Sequence, residues 1–259
     1  MKLTFLGTCG GRFATGEQLR NTGGIVLESD ETRVHIDPGP GALVQNHEIM
    51  DEPFETEGLI VSHGHLDHVN DAEAIIEMMT EVSDKPAAVF ANETALEGHG
   101  DIENSIGQYH RDLCARVDKM EEGKELEFKD LKIESQEMFH SDPRTQGFKI
   151  SDGEKTVGFW TDSEFSEELL EFYEDCDWLI IYCTRPKGGS LPQHLSLDEV
   201  PEIIQSANPT TAIITHFGYK FLKSDMEEQE EWINEQVEAK VRFAEDGMEF
   251  PGNRSLGDF

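Results

Sequence analysis

His63, Gly64, His65, Leu66, Asp67 and His68 read H-x-H-x-D-H and come just after the apolar run Leu59–Val61. Three imidazoles and a carboxylate packed into six positions are hard to explain as core packing. A strand ending at Val61 and opening into a tight loop would aim these side chains into one space. Imidazole and carboxylate suit zinc and its first-row neighbours. The bland alternative is a solvated loop that happens to be rich in histidine.

That alternative must also explain three later residues. His140 follows Met138-Phe139, Asp162 follows Val157–Thr161, and His216 follows Ala212–Thr215. Each is a ligand type just past a short β-like run, where open α/β sheets place their sites. One such residue would be weak evidence. Three of them, after an H-x-H-x-D-H, make a pattern.

With these residues in place, the chain resembles the metallo-β-lactamase superfamily. Within it the pattern is most similar to the branch of transfer-RNA 3′-processing endonucleases and small phosphodiesterases. The resemblance runs from Lys2–Leu6 to the Asp246-Gly247-Met248 turn. It implies an α/β fold, a four-layer αββα sandwich of two similar halves. It also implies two divalent metal ions. His63, His65 and His140 would hold the first. Asp67, His68 and His216 would hold the second. Asp162 would bridge both, together with a water or hydroxide. All seven positions carry the expected residue type. Zinc is the default metal, with manganese and iron(II) as alternatives that geometry and availability decide.

The chemistry such a site supplies is hydrolysis. Divalent metal lowers the pKa of bound water from about 16 to near 7 and polarises the substrate oxygen. Asp67 has two expected duties, as a ligand and as the group that orients or accepts the nucleophile's proton. A second histidine, His194, lies in the segment Pro192–Ser196. In the phosphodiesterases that the chain resembles, a histidine here approaches the metal-site aspartate and donates a proton. The alternative is a histidine that only fixes its loop. No G-x-S-x-G and no cysteine motif offers a protein nucleophile.

The favoured substrate is a small, anionic phosphodiester. Lactone, thioester or other ester and amide hydrolysis would use the same centre. A mononuclear iron oxygenase is disfavoured because Asp67, His68 and His216 fill a second site. A non-catalytic metal-binding scaffold is disfavoured because no ligand position is damaged. Transfer-RNA processing is disfavoured twice. Residues 141–161 leave no room for a long basic arm, and the net charge of −33, from 54 acidic and 21 basic residues, repels nucleic acid and anionic membranes. Arg12, Arg20, Arg144, Arg185 and Lys187 lie in loops and could meet an anionic substrate, although each alone reads as a surface cation.

The acids are spread along the chain, which favours adaptation to high salt over plain acidity, although 12 Lys against 9 Arg weaken that reading. Four scattered cysteines without C-x-x-C read as free thiols in a reducing cytosol. Neither a signal-like segment nor a membrane-length apolar run is present, so a cytoplasmic protein is expected. A symmetric homodimer is the general expectation for enzymes, and nothing here is more specific.

The elements that must position these residues follow from the runs. With no linker, repeat or low-complexity tract, residues 1–259 read as one domain. Leu3–Leu6 reads as a strand entering the glycine-rich loop Gly7–Gly11. That loop either lies beside the metals or is merely a tight turn. Ile25–Glu28 and Arg33–Ile36 read as a strand pair. Asp37–Gly41 reads as turn chemistry, and residues 41–50 as a short helix. Asp71–Val82 has helical spacing, with Ala72, Ile75, Ile76 and Met79 facing a core. Ala87–Ala91, Phe128–Phe139, Gly147–Ile150, Thr156–Thr161, Trp178–Cys183 and Val241–Ala244 read as strands. Glu167–Glu174, Leu197–Ser206 and Asp225–Gln236 read as helices, the second with Ser196 and Glu199 as a capping box. His99 and His110 read as surface or cleft residues, and residues 250–259 as a tail.

Overall fold

The computed structural model describes residues 1–252, and the predicted tail from residue 253 onward lies outside the described residues. Two compact units share the chain. The first comprises Met1–Thr8, Arg20–Glu121 and the segment starting at Glu245; the second comprises Cys9–Leu19 and Glu122–Ala244.

The first unit is built on β1 (Lys2–Phe5), β2 (Ile25–Glu28), β3 (Arg33–Ile36), β4 (Gly58–Val61), β5 (Ala88–Ala91) and β6 (Arg116–Lys119). β1, β2 and β3 pair antiparallel, and β3 through β6 run parallel. The second unit holds β7 (Glu125–Phe128), β8 (Leu131–Glu137), β9 (Gln146–Ser151), β10 (Thr156–Trp160), β11 (Trp178–Tyr182), β12 (Thr211–Thr215) and β13 (Lys240–Phe243). Here β7 through β10 pair antiparallel and β10 through β13 run parallel. A short β14 (Glu249–Phe250) returns to pair with β1, so each sheet has seven strands.

The central strands β4, β5, β11 and β12 are buried at every position. A strand covered on both faces reads as an unbroken apolar run rather than an alternation. In the first unit the stripe Ala72, Ile75, Ile76 and Met79 packs with Leu59, Val61 and Val89, as the spacing predicts. In the second, Val200, Ile203, Ile204 and Ala207 pack with Leu179, Ile181 and Ile214. Each fully buried aliphatic side chain contributes about 1.5–3 kcal/mol.

Three predicted helices differ in the structure. The segment 71–82 is helical over Ala72–Glu77 and widens into a π-turn over Met78–Val82. Glu167–Glu174 forms two short 3₁₀ turns. Its acids Glu167 and Glu171, four apart, repel on a regular helix. The third helix begins at Val200, not Leu197. The Leu197 N–H donates to the Arg185 carbonyl at 3.0 Å, and residues 197–199 form a turn before the helix. The Glu199 carboxylate does reach back to Ser196, accepting its N–H at 2.7 Å and its hydroxyl at 3.1 Å. The stretch 92–120, which carries little periodicity, forms helices Glu93–Glu97 and Gln108–Leu113 before β6. No helix among the described residues is long and apolar enough to cross a membrane.

His35 sits in the middle of the first sheet, fully buried, with Nε2 2.6 Å from the Gly23 carbonyl and Nδ1 without a partner. Burial lowers its pKa to about 4, against the smaller opposing effects of the Gly23 hydrogen bond and of Asp71 and Asp37. Below about pH 6.5 the unfolded chain therefore takes up this proton before the folded one does. Stability is expected to fall by about 3 kcal/mol from this residue alone between about pH 6.5 and 4. Urea unfolding of wild type and His35→Gln at pH 7 and pH 5 checks this. An equal loss in both proteins would exclude His35 as the source.

Candidate metal centre

Several candidates stand just past the carboxyl ends of strands, while Asp67 and His68 lie on the short helix Leu66–Val69 and His194 in the segment between β11 and the helix Val200–Ala207. In the first unit, β4 runs into Ser62 and His63, and the parallel β3 beside it ends at Asp37. In the second, β8 and β10 point the same way because β9 lies antiparallel between them. β11 and β12 continue in that direction. His140, Asp162, Thr184 and His216 therefore leave the sheet at one edge.

The first unit brings His63, His65, Asp67 and His68 together. His63 Nε2 and His65 Nδ1 lie 3.0 Å apart, and the His63 and His68 rings are 4.0 Å between centroids. His68 Nε2 is 3.7 Å from Asp67 Oδ2. The opposite nitrogens are tied down. His63 Nδ1 is 3.0 Å from Ser62 Oγ, and that hydroxyl donates to Asp37 Oδ2 at 2.8 Å. His68 Nδ1 lies 3.0 Å from the same Oδ2, and the Ser62 N–H donates to Asp37 Oδ1 at 2.7 Å.

Asp37 thus orients two imidazoles, one directly and one through Ser62. Its reading as plain turn chemistry is corrected: it is a buried carboxylate in a left-handed conformation at φ 51°. The signal was present in the sequence, because Asp37 stands just past a β-run like the other acidic candidate. Carboxylate–histidine pairs of this kind fix the tautomer and raise ligand basicity. Asp37→Asn, which tolerates the backbone but offers one acceptor fewer, is expected to weaken metal affinity about 10–100-fold. Competition titration with a chromogenic chelator measures it, and unchanged affinity would remove Asp37 from this role.

The second unit gathers His140, Asp162, His194 and His216. His140 donates from Nδ1 to the Gln193 carbonyl at 2.9 Å, and His194 from Nδ1 to the Pro192 carbonyl at 2.9 Å. Both Nε2 atoms then face Asp162 Oδ2, at 3.9 and 3.8 Å. His216 Nδ1 lies 3.2 Å from the other oxygen, Oδ1. One carboxylate addresses imidazoles with each of its oxygens. The ligand atoms of His140, Asp162 and His194 all fall within 4.8 Å of one another. Nitrogen and oxygen donors converging at such spacing fit a divalent first-row ion.

His216 is held unusually tightly. Its φ is 62°, a left-handed conformation uncommon for a residue with a Cβ. The Tyr182 ring stacks on it at 5.1 Å and 8°. Gly10 packs so close that a Cβ there would stand 2.1 Å from Nε2. The glycine-rich loop is therefore more than a turn, since Gly10 shapes the seat of a candidate ligand. Tyr182, Gly10 and the carbonyls of Pro192 and Gln193 carry no sequence signal of these contacts.

The other candidates fall elsewhere. His110 bridges Glu73 and Glu77 at 3.0 and 3.3 Å, and His99 meets Glu93 at 3.4 Å. Arg144 pairs with Glu137 at 3.2 Å, and Lys187 lies over the Trp232 ring at 4.6 Å. Arg20 donates to Thr8 at 3.2 Å. The four cysteines are free thiols. Burial pushes Cys114 up to about 11 and Cys176 to about 12, which makes them poor nucleophiles.

Residues 32–217 match the family of the β-lactamase superfamily domain. The chain belongs to the metallo-β-lactamase superfamily. The α/β fold of αββα class expected from the motif holds. An uncharacterized protein of Methanocaldococcus jannaschii, MJ1374, is 34% identical over 230 residues, covering 88% of this chain and 86% of that one. Among solved structures, the metallo-β-lactamase fold protein YhfI of Bacillus subtilis is similar at TM-score 0.78 and 18% identity, covering 96% of this chain and 98% of that one. A diphosphatase of the PhnP family is similar at TM-score 0.70 and 17% identity, covering 96% of each. At these identities the two structures speak for the metallo-β-lactamase fold alone.

Proposed function

We propose that this superfamily member is a dinuclear metal-dependent hydrolase acting on a small phosphodiester. His63, His65 and His140 would hold one ion, and Asp67, His68 and His216 the other, with Asp162 shared. When bound, two divalent ions, zinc by default, supply Lewis acidity and water ionised near neutral pH. The observation that carries the reading is Asp162, whose Oδ2 faces His140 and His194 while Oδ1 faces His216. A shared carboxylate has to serve two directions, and this one does so within its own unit.

The chain's own groups then divide the proton work. Asp67 is partly exposed beside buried His68, placed to orient the nucleophile and accept its proton. His194 keeps its Nδ1 proton on the Pro192 carbonyl, so Nε2 is the nitrogen that can exchange a proton with a leaving group. The small-phosphodiester reading is supported by the branch resemblance and by the fold shared with a diphosphatase. The segment between His140 and Asp162 is filled by one short turn and the β9–β10 hairpin, which leaves no RNA-gripping arm. The spread of acids supports a high-salt working environment.

Metal content by mass spectrometry, joined to a hydrolysis screen at low and high salt, tests the reading. Near two ions per chain with cleavage of bis-p-nitrophenyl phosphate is expected. Two ions with cleavage of only a lactone or β-lactam would move the substrate class. One ion or none in folded protein would sink the dinuclear assignment. In the same assay His194→Ala is expected to lose at least about tenfold more rate on an alkyl leaving group than on p-nitrophenolate. Equal losses would reduce His194 to fixing its loop.

A further inference from the structure

The acids of this chain avoid three stretches. Residues 1–16, 178–197 and 209–224 contain no Asp or Glu, in a chain that has 54. The second unit brings residues 9–16 of the first stretch together with the other two. The Gly10 N–H donates to the Phe217 carbonyl at 3.1 Å, and the Gly218 N–H to the Thr184 carbonyl at 3.2 Å. Cys9 pairs with Phe217 as a parallel bridge. All three segments touch His216: Gly10 packs on its ring, Thr184 Oγ1 is 3.5 Å from its Nδ1, and Phe217 follows it.

Each segment carries a cation with no ion pair among the described residues. Acids take up many of the basic side chains elsewhere, as at Lys2, Arg33, Lys85 and Lys132, although Arg111, Lys240 and Arg242 also have no ion pair among the described residues. Arg12, Arg185 and Lys220 have no ion pair among the described residues. Arg185 is half-buried, and its Nε is enclosed without a hydrogen-bond partner. Two of the cations have an aromatic neighbour in the open. Phe13 is 71% exposed and Tyr219 37% exposed. Gly11-Arg12-Phe13 and Gly218-Tyr219-Lys220 both enter short helices, so cation and ring are neighbours in the chain twice, and Lys223 adds its ammonium over the Tyr219 ring at 5.7 Å.

Such a rim makes little sense as a solvated face. The surrounding chain keeps its surface acidic, and exposed aromatic rings beside unpaired cations are costly to leave unused. A ligand with a flat ring and a phosphate answers both features, through stacking on the rings and charge-assisted hydrogen bonds to the cations. We propose that Arg12, Phe13, Arg185, Tyr219 and Lys220 form a rim beside His216 that binds a nucleoside phosphate. The base lies against the aromatic rings, and a phosphate other than the one cleaved sits on the cations. This deepens the hydrolase reading and rests on it for the position of the scissile bond.

Isothermal titration of the metal-loaded protein with adenosine 5′-monophosphate at low salt tests the rim. The expected result is binding at least about tenfold tighter than that of adenosine or inorganic phosphate. Arg12→Gln, Lys220→Gln and Arg185→Gln are each expected to weaken it about tenfold, with partial retention in Arg185→Lys. The same variants should raise KM for the p-nitrophenyl ester of thymidine 5′-monophosphate and leave kcat, and the turnover of bis-p-nitrophenyl phosphate, within about twofold. Nucleotide binding no tighter than phosphate, or unmoved by these substitutions, would overturn the proposal. Rim-dependent binding without any hydrolysis would keep the rim and sink the hydrolase reading. Hydrolysis without rim-dependent binding would do the reverse.

Discussion

Asp162→Ala is expected to lower hydrolytic turnover by about 10³-fold or more while the protein still folds. The carboxylate is buried at the end of β10, and both its oxygens are aimed at imidazoles: His140 and His194 on one side, His216 on the other. Among the described residues of the second unit, Asp162 is the acid grouped with His140 and His194. Its removal takes the carboxylate from that cluster and with it the group that sets the spacing of the rings. The β10 strand itself is held by Phe159 and Trp160 in the core, which the substitution does not touch. Folding should therefore survive, but the gain in thermal stability on adding zinc should shrink, because a ligand stabilises only in proportion to its affinity. Thermal unfolding with and without zinc, beside initial rates, separates the two effects. Turnover within about tenfold of wild type would show that Asp162 is not central to the chemistry.

Gly10→Ala is expected to be nearly as damaging, for a steric reason. The new Cβ would stand 2.1 Å from His216 Nε2 and 2.2 Å from Cδ2 and Cε1. The ring cannot simply withdraw, since Tyr182 stacks on it and its backbone is committed to φ 62°. Either His216 swings away or the loop lifts from Phe217, to whose carbonyl the Gly10 N–H is bonded. Both outcomes misplace a candidate ligand. The expected readout is about one ion lost per chain and a fall in turnover of about 10²-fold. Gly11→Ala is the control. Gly11 has φ 74°, so alanine is strained there, yet its Cβ meets nothing closer than Thr184 Cγ2 at 3.9 Å. That variant should lose about 1 kcal/mol of stability and keep its metal. Equal metal content in both variants would show that Gly10 does not seat His216.

Some of this molecule can be read along the chain. A buried parallel strand is an apolar run, and a ligand at its carboxyl end is the next polar residue of the right type. That rule is local, so it points to the candidates His63, Asp162 and His216 without knowledge of strand order, whereas His140 follows the antiparallel, half-buried β8. The helix Met226–Gln236 is similarly legible, because Asp225 caps it by accepting the Glu228 N–H at 3.1 Å. Helix starts are harder where a long-range bond competes with the cap, as at Leu197, which is bonded to Arg185.

What residue types and spacing determined by themselves were the family, the ligand types and the strands that deliver them. Tertiary structure alone decided what surrounds each candidate ligand. Asp37 becomes the partner of His68 only because β3 lies parallel beside β4. Gly10 becomes the seat of His216 only because Cys9 pairs with Phe217, more than two hundred positions away in the chain. The acid-free stretches become a single rim only when backbone bonds draw three distant loops around one imidazole. Pattern along a chain reports what each residue can do, whereas orientation, tautomer and shared charge depend on neighbours that only folding supplies.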